Sequence, residues 1–170
     1  MIRLVLVGLG ARGRYWHEVV RRSAAGEAVA FCDPDPAARS WAETHAPGVP
    51  AFATLDEALD RVEADALVLA TPPGTRDAHV ARACRDRLPM LIEKPLALDL
   101  ETAARYTVMA EQAGVPLMVG LNFRYLPVTN ALKALFAADV LGPPVSVRFT
   151  YERRRDPFAP HLNRYPATMV

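Results

Sequence analysis

The chain opens with a short, nearly continuous apolar run, Ile-Arg-Leu-Val-Leu-Val over residues 2–7, that ends at Gly8. Apolar runs of this length without polar alternation mark strands covered on both faces. The pattern returns at 27–32, more weakly at 51–52, and again at 66–70, 90–92 and 115–119. Between these runs the spacing switches to the helical period. Residues 15–25 set Trp16, Val19, Val20 and Ser23 on one face, with Arg14, Glu18, Arg21 and Arg22 off it. A second helix is predicted from Ala37 to about His45, with Asp35 as its N-cap and Pro36 in its first turn. Others are predicted over 55–61 and 77–87, and from the cap Asp99 to Ala113, where Gly114 stops it. Strands alternating with helices require crossover connections. The predicted fold is therefore α/β, a doubly wound parallel sheet of the Rossmann type.

After Gly120 the pattern changes. Residues 126–138 read as a helix, Gly142-Pro143-Pro144 breaks it, and 145–151 alternates with period two, as a half-exposed antiparallel strand does. No periodic element is legible over 152–170, which holds Arg153, Arg154 and Arg155. The expected organisation is a Rossmann domain over 1–125 and the incomplete beginning of a second, α+β domain over 126–170.

Composition narrows the class. A length of 170 residues suits one full domain and a remainder. The 51% hydrophobic and 23% charged content is that of a core former rather than a disordered chain. Lys plus Arg is 20 against 19 for Asp plus Glu, so nothing electrostatic argues for nucleic acid or an anionic membrane as partner. Cys32 and Cys84 make neither a disulfide framework nor a structural zinc site, and no metal is expected. No apolar run approaches the ~20 residues of a membrane span. Met1-Ile2-Arg3 leads straight into the first strand pattern, so no signal peptide is expected, and the reading is of a soluble, cytoplasmic protein. Of the 20 basic residues only Lys94 and Lys133 are lysines, which makes lysine the unusual choice in this chain.

The candidate chemistry lies at the carboxyl ends of the strands. Gly8-Leu9-Gly10-Ala11-Arg12-Gly13 is G-x-G-x-x-G between the first strand and the first helix, the context in which it cradles a dinucleotide pyrophosphate. Asp33 follows the second strand about 20 residues on, where a carboxylate accepts hydrogen bonds from the adenosine ribose. A carboxylate there repels the 2′-phosphate of NADP, and Arg39 lies more than a turn away, so NAD is favoured over NADP. Thr71-Pro72-Pro73 and His79 sit at the end of the fourth strand and on the helix after it; an ordinary turn and a surface histidine remain open as readings. Glu93-Lys94-Pro95 closes the fifth strand. A solvated turn is the alternative, but only lysine offers an ammonium whose pKa is readily tuned.

Taken in order, G-L-G-A-R-G at 8–13, C-D-P at 32–34, A-T-P-P at 70–73 with His79, E-K-P-L at 93–96 and G-L-N-F-R-Y-L-P at 120–127 resemble the Gfo/Idh/MocA oxidoreductases, the glucose–fructose oxidoreductase and inositol dehydrogenase group. The resemblance covers essentially the whole chain. It implies that Lys94 lies near the nicotinamide and assists hydride transfer as the catalytic residue. It further implies that Glu93 contacts the nicotinamide side, with a bent or cis Lys94–Pro95 bond, and that Asn122 and Arg124 line the floor of the cleft. Members of the family run to roughly twice this length, and their second domain carries a glycine-rich segment with an Asp and a His for acid–base work. Nothing around His161 resembles that segment, so His161, like Arg153, Arg154 and Arg155, is read as surface or disordered.

The function expected is that of an NAD(P)-dependent dehydrogenase acting on a hydroxyl of a sugar, cyclitol or related polyol, present here mainly as its cofactor-binding part. The whole protein is expected to be a homo-oligomer. The alternative is a non-catalytic dinucleotide-binding module or a subunit completed by another chain; a methyltransferase-like binder is disfavoured by the E-K-P and N-F-R elements.

Overall fold

The computed structural model describes residues 1–140, 142–146, 148 and 150. Two compact units are present, Met1–Phe123 and Arg124–Val170. The first is a six-stranded sheet in the order β3-β2-β1-β4-β5-β6, formed by β1 (Ile2–Val7), β2 (Gly26–Cys32), β3 (Ala51–Phe52), β4 (Ala66–Leu69), β5 (Met90–Ile92) and β6 (Leu117–Val119). Every pairing is parallel. The helices are α1 (Ala11–Arg21), α2 (Pro36–His45), α3 (Leu55–Leu59), α4 (Asp77–Arg85) and α5 (Leu100–Ala113). This is the Rossmann arrangement, reversing its winding between β1 and β4.

The apolar runs are explained by burial on both faces. Along β1, Val5 and Val7 join one core and Leu6 the other. Leu67 and Leu69 of β4 share the first core with Ala30 and Cys32 of β2, while Val68 and Phe31 point into the second. The first core is closed by Val80 and Ala83 of α4 and by Tyr106 and Ala110 of α5; the second by Ala38 and Ala42 of α2. Alternate residues thus face opposite layers that are both dry, so the alternation vanishes from the sequence.

The helix caps follow their sequence signals. Asp35 accepts from the Ala37 N–H at 2.9 Å and Asp99 from the Thr102 N–H at 2.7 Å, each satisfying a helix donor that would otherwise lack a partner. Gly114 ends α5 with φ +66°, a left-handed conformation open to glycine.

One element departs from expectation. The first helix is Ala11–Arg21 rather than 15–25, because the glycine motif itself forms the first turn, where no apolar periodicity announces it. Its buried face is Gly13, His17 and Val20, while Val19, expected on the apolar face, is 38% exposed. In the second unit, α6 (Pro127–Ala137) occupies the predicted helical stretch. The strand expected over 145–151 runs onto residues outside the described ones, and Arg153, Arg154, Arg155 and His161 lie outside them altogether.

Candidate functional site

Three glycines open the site, each for a different reason. Gly8 has φ +89°, and a Cβ there would stand 2.9 Å from the Ala70 carbonyl carbon and the Thr71 nitrogen. A Cβ on Gly13 would lie 1.7 Å from the Gly8 oxygen, so helix and strand meet only if this residue lacks a side chain. Around Gly10 a Cβ would meet nothing within 4 Å. Gly10 is the N-cap of α1 and no side chain caps that end, so first-turn N–H groups face open space. Oriented N–H groups and the helix dipole make this a fitting cradle for a diphosphate.

Asp33 is locked to that loop. Its Oδ2 accepts from the Leu9 N–H at 2.6 Å and its Oδ1 from the Asp35 N–H at 2.9 Å. A carboxylate has about four acceptor positions, so both oxygens keep capacity for the paired hydroxyls of a ribose. Arg39 stands closer than its sequence distance suggests: Nη1 donates to the backbone oxygens of Asp33 at 2.8 Å and Pro34 at 2.9 Å. The helical turn of α2 folds its side chain back onto the loop.

Beside Asp33 lies a cleft of about 600 Å³, between the β3–α3 connection, the end of β4 and α4. Asp33, Thr54, Thr71, Pro72, His79 and Arg82 are among its lining residues, and its volume suits a nucleoside. His79 is half-buried, and its Nδ1 has no hydrogen-bond partner among the described residues. Burial pushes its pKa down, which favours the neutral imidazole. Arg82 ties α4 to α3 through Asp56 and through Asp60 at 3.0 Å, shaping the wall.

The second half of the site is at the end of β5. Glu93 is 6% exposed; its Oε1 accepts from the Trp16 indole N–H at 2.9 Å and pairs with Arg12 Nε at 3.2 Å. A Cβ on Gly120 would come within 3.4 Å of the same oxygen, so the end of β6 also confines the carboxylate. Lys94 is half-buried and its bond to Pro95 is cis. Beneath this segment lies Arg76, 1% exposed. Its Nη2 and Nε donate to the Thr71 oxygen at 2.6 and 3.2 Å, and its Nη1 to the oxygens of Glu93 at 2.7 Å, Leu96 at 3.1 Å, and Pro95.

Gly8, Leu9, Gly10, Ala11, Arg12, Gly13, Asp33, Thr71, Pro72, Pro73, His79, Glu93 and Lys94 all belong to the first unit, at or just beyond strand carboxyl ends. Asn122 and Arg124 lie on the exposed 3-10 turn Asn122–Tyr125. Arg124 belongs to the second unit, where its carbonyl accepts from Lys133 Nζ at 3.2 Å. Sequence reasoning missed Arg76, Arg82 and the indole contact of Trp16. In a chain so rich in arginine, no local pattern separates a buried guanidinium from a solvated one. Both cysteines are free thiols. Burial, with smaller contributions from Glu57 and Asp33, pushes Cys32 up to about 12, far from a reactive thiolate. Among the described residues no cluster of His, Cys, Asp and Glu could hold a metal ion, and no helix is long and apolar enough to cross a membrane.

Comparison with known proteins agrees with the fold. The family described as "Oxidoreductase family, NAD-binding Rossmann fold" matches residues 2–121. An inositol 2-dehydrogenase of Corynebacterium glutamicum (strain R) is 29% identical over 149 residues, 86% of this chain and 44% of that protein. One from Leifsonia xyli subsp. xyli is 32% identical over 161 residues, 94% of this chain and 46% of that protein. The WlbA dehydrogenase of Bordetella pertussis, solved with NADH and UDP-GlcNAcA, superposes with a TM-score of 0.74 at 30% identity, over 83% of this chain and 43% of that one. The chain thus spans less than half the length of the relatives it matches.

Proposed function

The chain belongs to the Gfo/Idh/MocA oxidoreductase family, residues 2–121 forming its NAD-binding Rossmann fold, and from that premise we propose that the whole protein is an NAD-dependent dehydrogenase acting on a hydroxyl of a cyclitol, sugar or related polyol. The observation that carries this reading is the convergence of two separate structures on one sheet edge: the open glycine cradle with Asp33, and the buried Glu93 beside Lys94. The names of relatives, inositol dehydrogenases among them, supply the substrate class.

Bound NAD supplies the acceptor for a hydride. Gly10 and the α1 N-terminus hold the diphosphate, and Asp33 accepts from the ribose hydroxyls. Thr71, Pro72, Pro73 and His79 border the nucleoside, with Leu9, Ala11 and Arg12 completing the loop. Glu93, fixed by Trp16 and Arg12, sets the wall on the nicotinamide side. Lys94 Nζ donates to the substrate hydroxyl and orients it, and the acid–base group that the family carries in its second domain would take the hydroxyl proton. Asn122, at the end of the same unit, borders the cleft floor in this reading. A cytoplasmic location and a homo-oligomeric assembly belong to the same proposal.

Fluorescence titration with NADH and NADPH, followed by an NAD-reduction assay against inositol and a panel of sugars, tests the reading. Saturable NADH binding with turnover of a polyol supports it. Dinucleotide binding without turnover of any polyol by the whole protein assigns a sensor or binding module instead, and the absence of dinucleotide binding overturns both.

A further inference from the structure

We propose that Arg76 is the positioning residue that aims Lys94: its guanidinium fixes the backbone on both sides of the lysine and references it to the end of β4. The inference rests on the reading of Lys94 as the residue that meets the substrate beside the nicotinamide.

The geometry is specific. Lys94 lies between two carbonyls, that of Glu93 before it and that of Pro95 after it, and Nη1 of Arg76 donates to both. Leu96 O, one residue further, accepts from the same nitrogen. The opposite edge of the guanidinium, Nε and Nη2, closes on the single oxygen of Thr71, where β4 ends. One planar group therefore sets the distance between the end of β4 and the segment that carries Lys94. A lysine at 76 would present its donors from one point and could not reproduce two opposed edges.

The anchor of the clamp is itself rigid. Arg76 is the N-cap of α4, and its own carbonyl accepts from the Val80 N–H at 2.9 Å. The next residue, Asp77, accepts from the Tyr106 hydroxyl of α5 at 2.6 Å. The guanidinium thus starts from a fixed helix end, and movement of Arg76 relative to the sheet is opposed by α4 and α5 together. At 1% exposure, water has little access to replace the donors if the side chain is removed. The carbonyls would then turn to find other partners, and the direction of Lys94 would change with them.

The chain's two lysines make the test direct. The 170-residue chain labelled with 13C at the lysine ε-carbons gives signals for Lys94 and Lys133, and Lys133→Arg identifies which is which. In the unsubstituted protein, NADH is expected to shift the Lys94 signal and leave Lys133 in place. In Arg76→Gln, NADH is expected to bind within about threefold of the original affinity, a cost of less than ~1 kcal/mol, with most of the Lys94 shift lost. The dinucleotide is held chiefly by the glycine loop and Asp33, so affinity and aim separate. Arg76→Lys, which keeps the cation, is the second variant; its added signal is assigned by comparison with the parent, and the same loss is expected.

If NADH binds the unsubstituted protein but leaves Lys94 unmoved, the reading of Lys94 fails before the clamp is tested, and the clamp falls with it. If Lys94 shifts equally in the parent and in whichever variant folds, the reading stands and the positioning role is overturned. Failure of both variants to fold makes Arg76 a support of the whole sheet rather than an aiming device, and equally overturns the proposal.

Discussion

The Leu9 N–H donates to Asp33 Oδ2 at 2.6 Å, joining the middle of the glycine loop to the carboxylate that ends β2. In the proposed cofactor reading, this sets the loop and the carboxylate against each other before any ligand arrives, which would lower the ordering cost of binding. Under the same reading, a carboxylate so placed would serve ribose hydroxyls and oppose an added phosphate.

Asp33→Asn is expected to weaken NADH binding about tenfold to a hundredfold, the usual cost of losing a charge-assisted hydrogen bond, while NADPH binding changes little or improves. The parent protein is expected to prefer NADH by at least about tenfold. Fluorescence titration of both cofactors measures this; equal preference in parent and variant would remove Asp33 from the ribose site.

Two glycine substitutions should separate fold from ligand. Gly13→Ala forces a Cβ onto the Gly8 oxygen and is expected to cost about 1–3 kcal/mol or more of stability, read as a lower urea midpoint. Gly10→Ala meets no protein atom and is expected to keep the midpoint close to that of the parent yet lose most dinucleotide affinity. Retained affinity in a folded Gly10→Ala protein would show that the diphosphate sits elsewhere.

Lys94→Ala is expected to lower kcat in the whole protein by about 10²–10⁴ while leaving the NADH Kd nearly unchanged. Lys94→Arg should recover little, because the guanidinium differs in shape and stays protonated. Steady-state kinetics with a polyol substrate decide it, and near-full activity in Lys94→Arg would demote the lysine to a charge-balancing role.

His17 gives a pH dependence whose sign is fixed by its surroundings. It is 5% exposed, its ring edge-on to Phe31 at 5.4 Å and to Trp41 at 5.7 Å, with neither nitrogen hydrogen-bonded among the described residues. Burial lowers its pKa in the folded protein below the ordinary 6.5. The unfolded chain therefore takes up the proton first. The contribution of His17 is fully present above about 6.5 and is lost as pH falls from there toward the folded pKa. Urea unfolding at neutral and mildly acidic pH should show the parent losing more stability than His17→Leu. Identical losses would place the acid sensitivity elsewhere, with His79, lowered in the same direction, as the next group to replace.

Much of this architecture was legible in the sequence because two-sided burial and the glycine motif both leave local marks. The strand runs, the Asp35 and Asp99 caps and the stop at Gly114 each depend on neighbours a few residues away. What escaped depends on distant chain. Arg76 is buried only because the ends of β4 and β5 close over it, from residues 5 to 20 positions along. Trp16 meets Glu93 across 77 residues, and an aromatic on an apolar helix face gives no sign that its N–H has a carboxylate to satisfy. His17 belonged to neither face of the predicted helix, because its burial rests on Phe31 and Trp41, which are distant in the chain.

The bond between Trp16 and Glu93 turns α1 into a gauge. Its first turn starts from the glycine loop, and Trp16, five residues beyond Ala11, reaches the Glu93 carboxylate at the end of β5. With a rise of about 1.5 Å per residue, the two stations are fixed about 8 Å apart along the axis by backbone geometry alone. Lengthening or shortening the first turn by one residue would swing the indole by about 100° and carry it off Glu93. The spacing between the glycines and that tryptophan therefore sets how far the loop stands from Glu93, a distance written into the length of a helix.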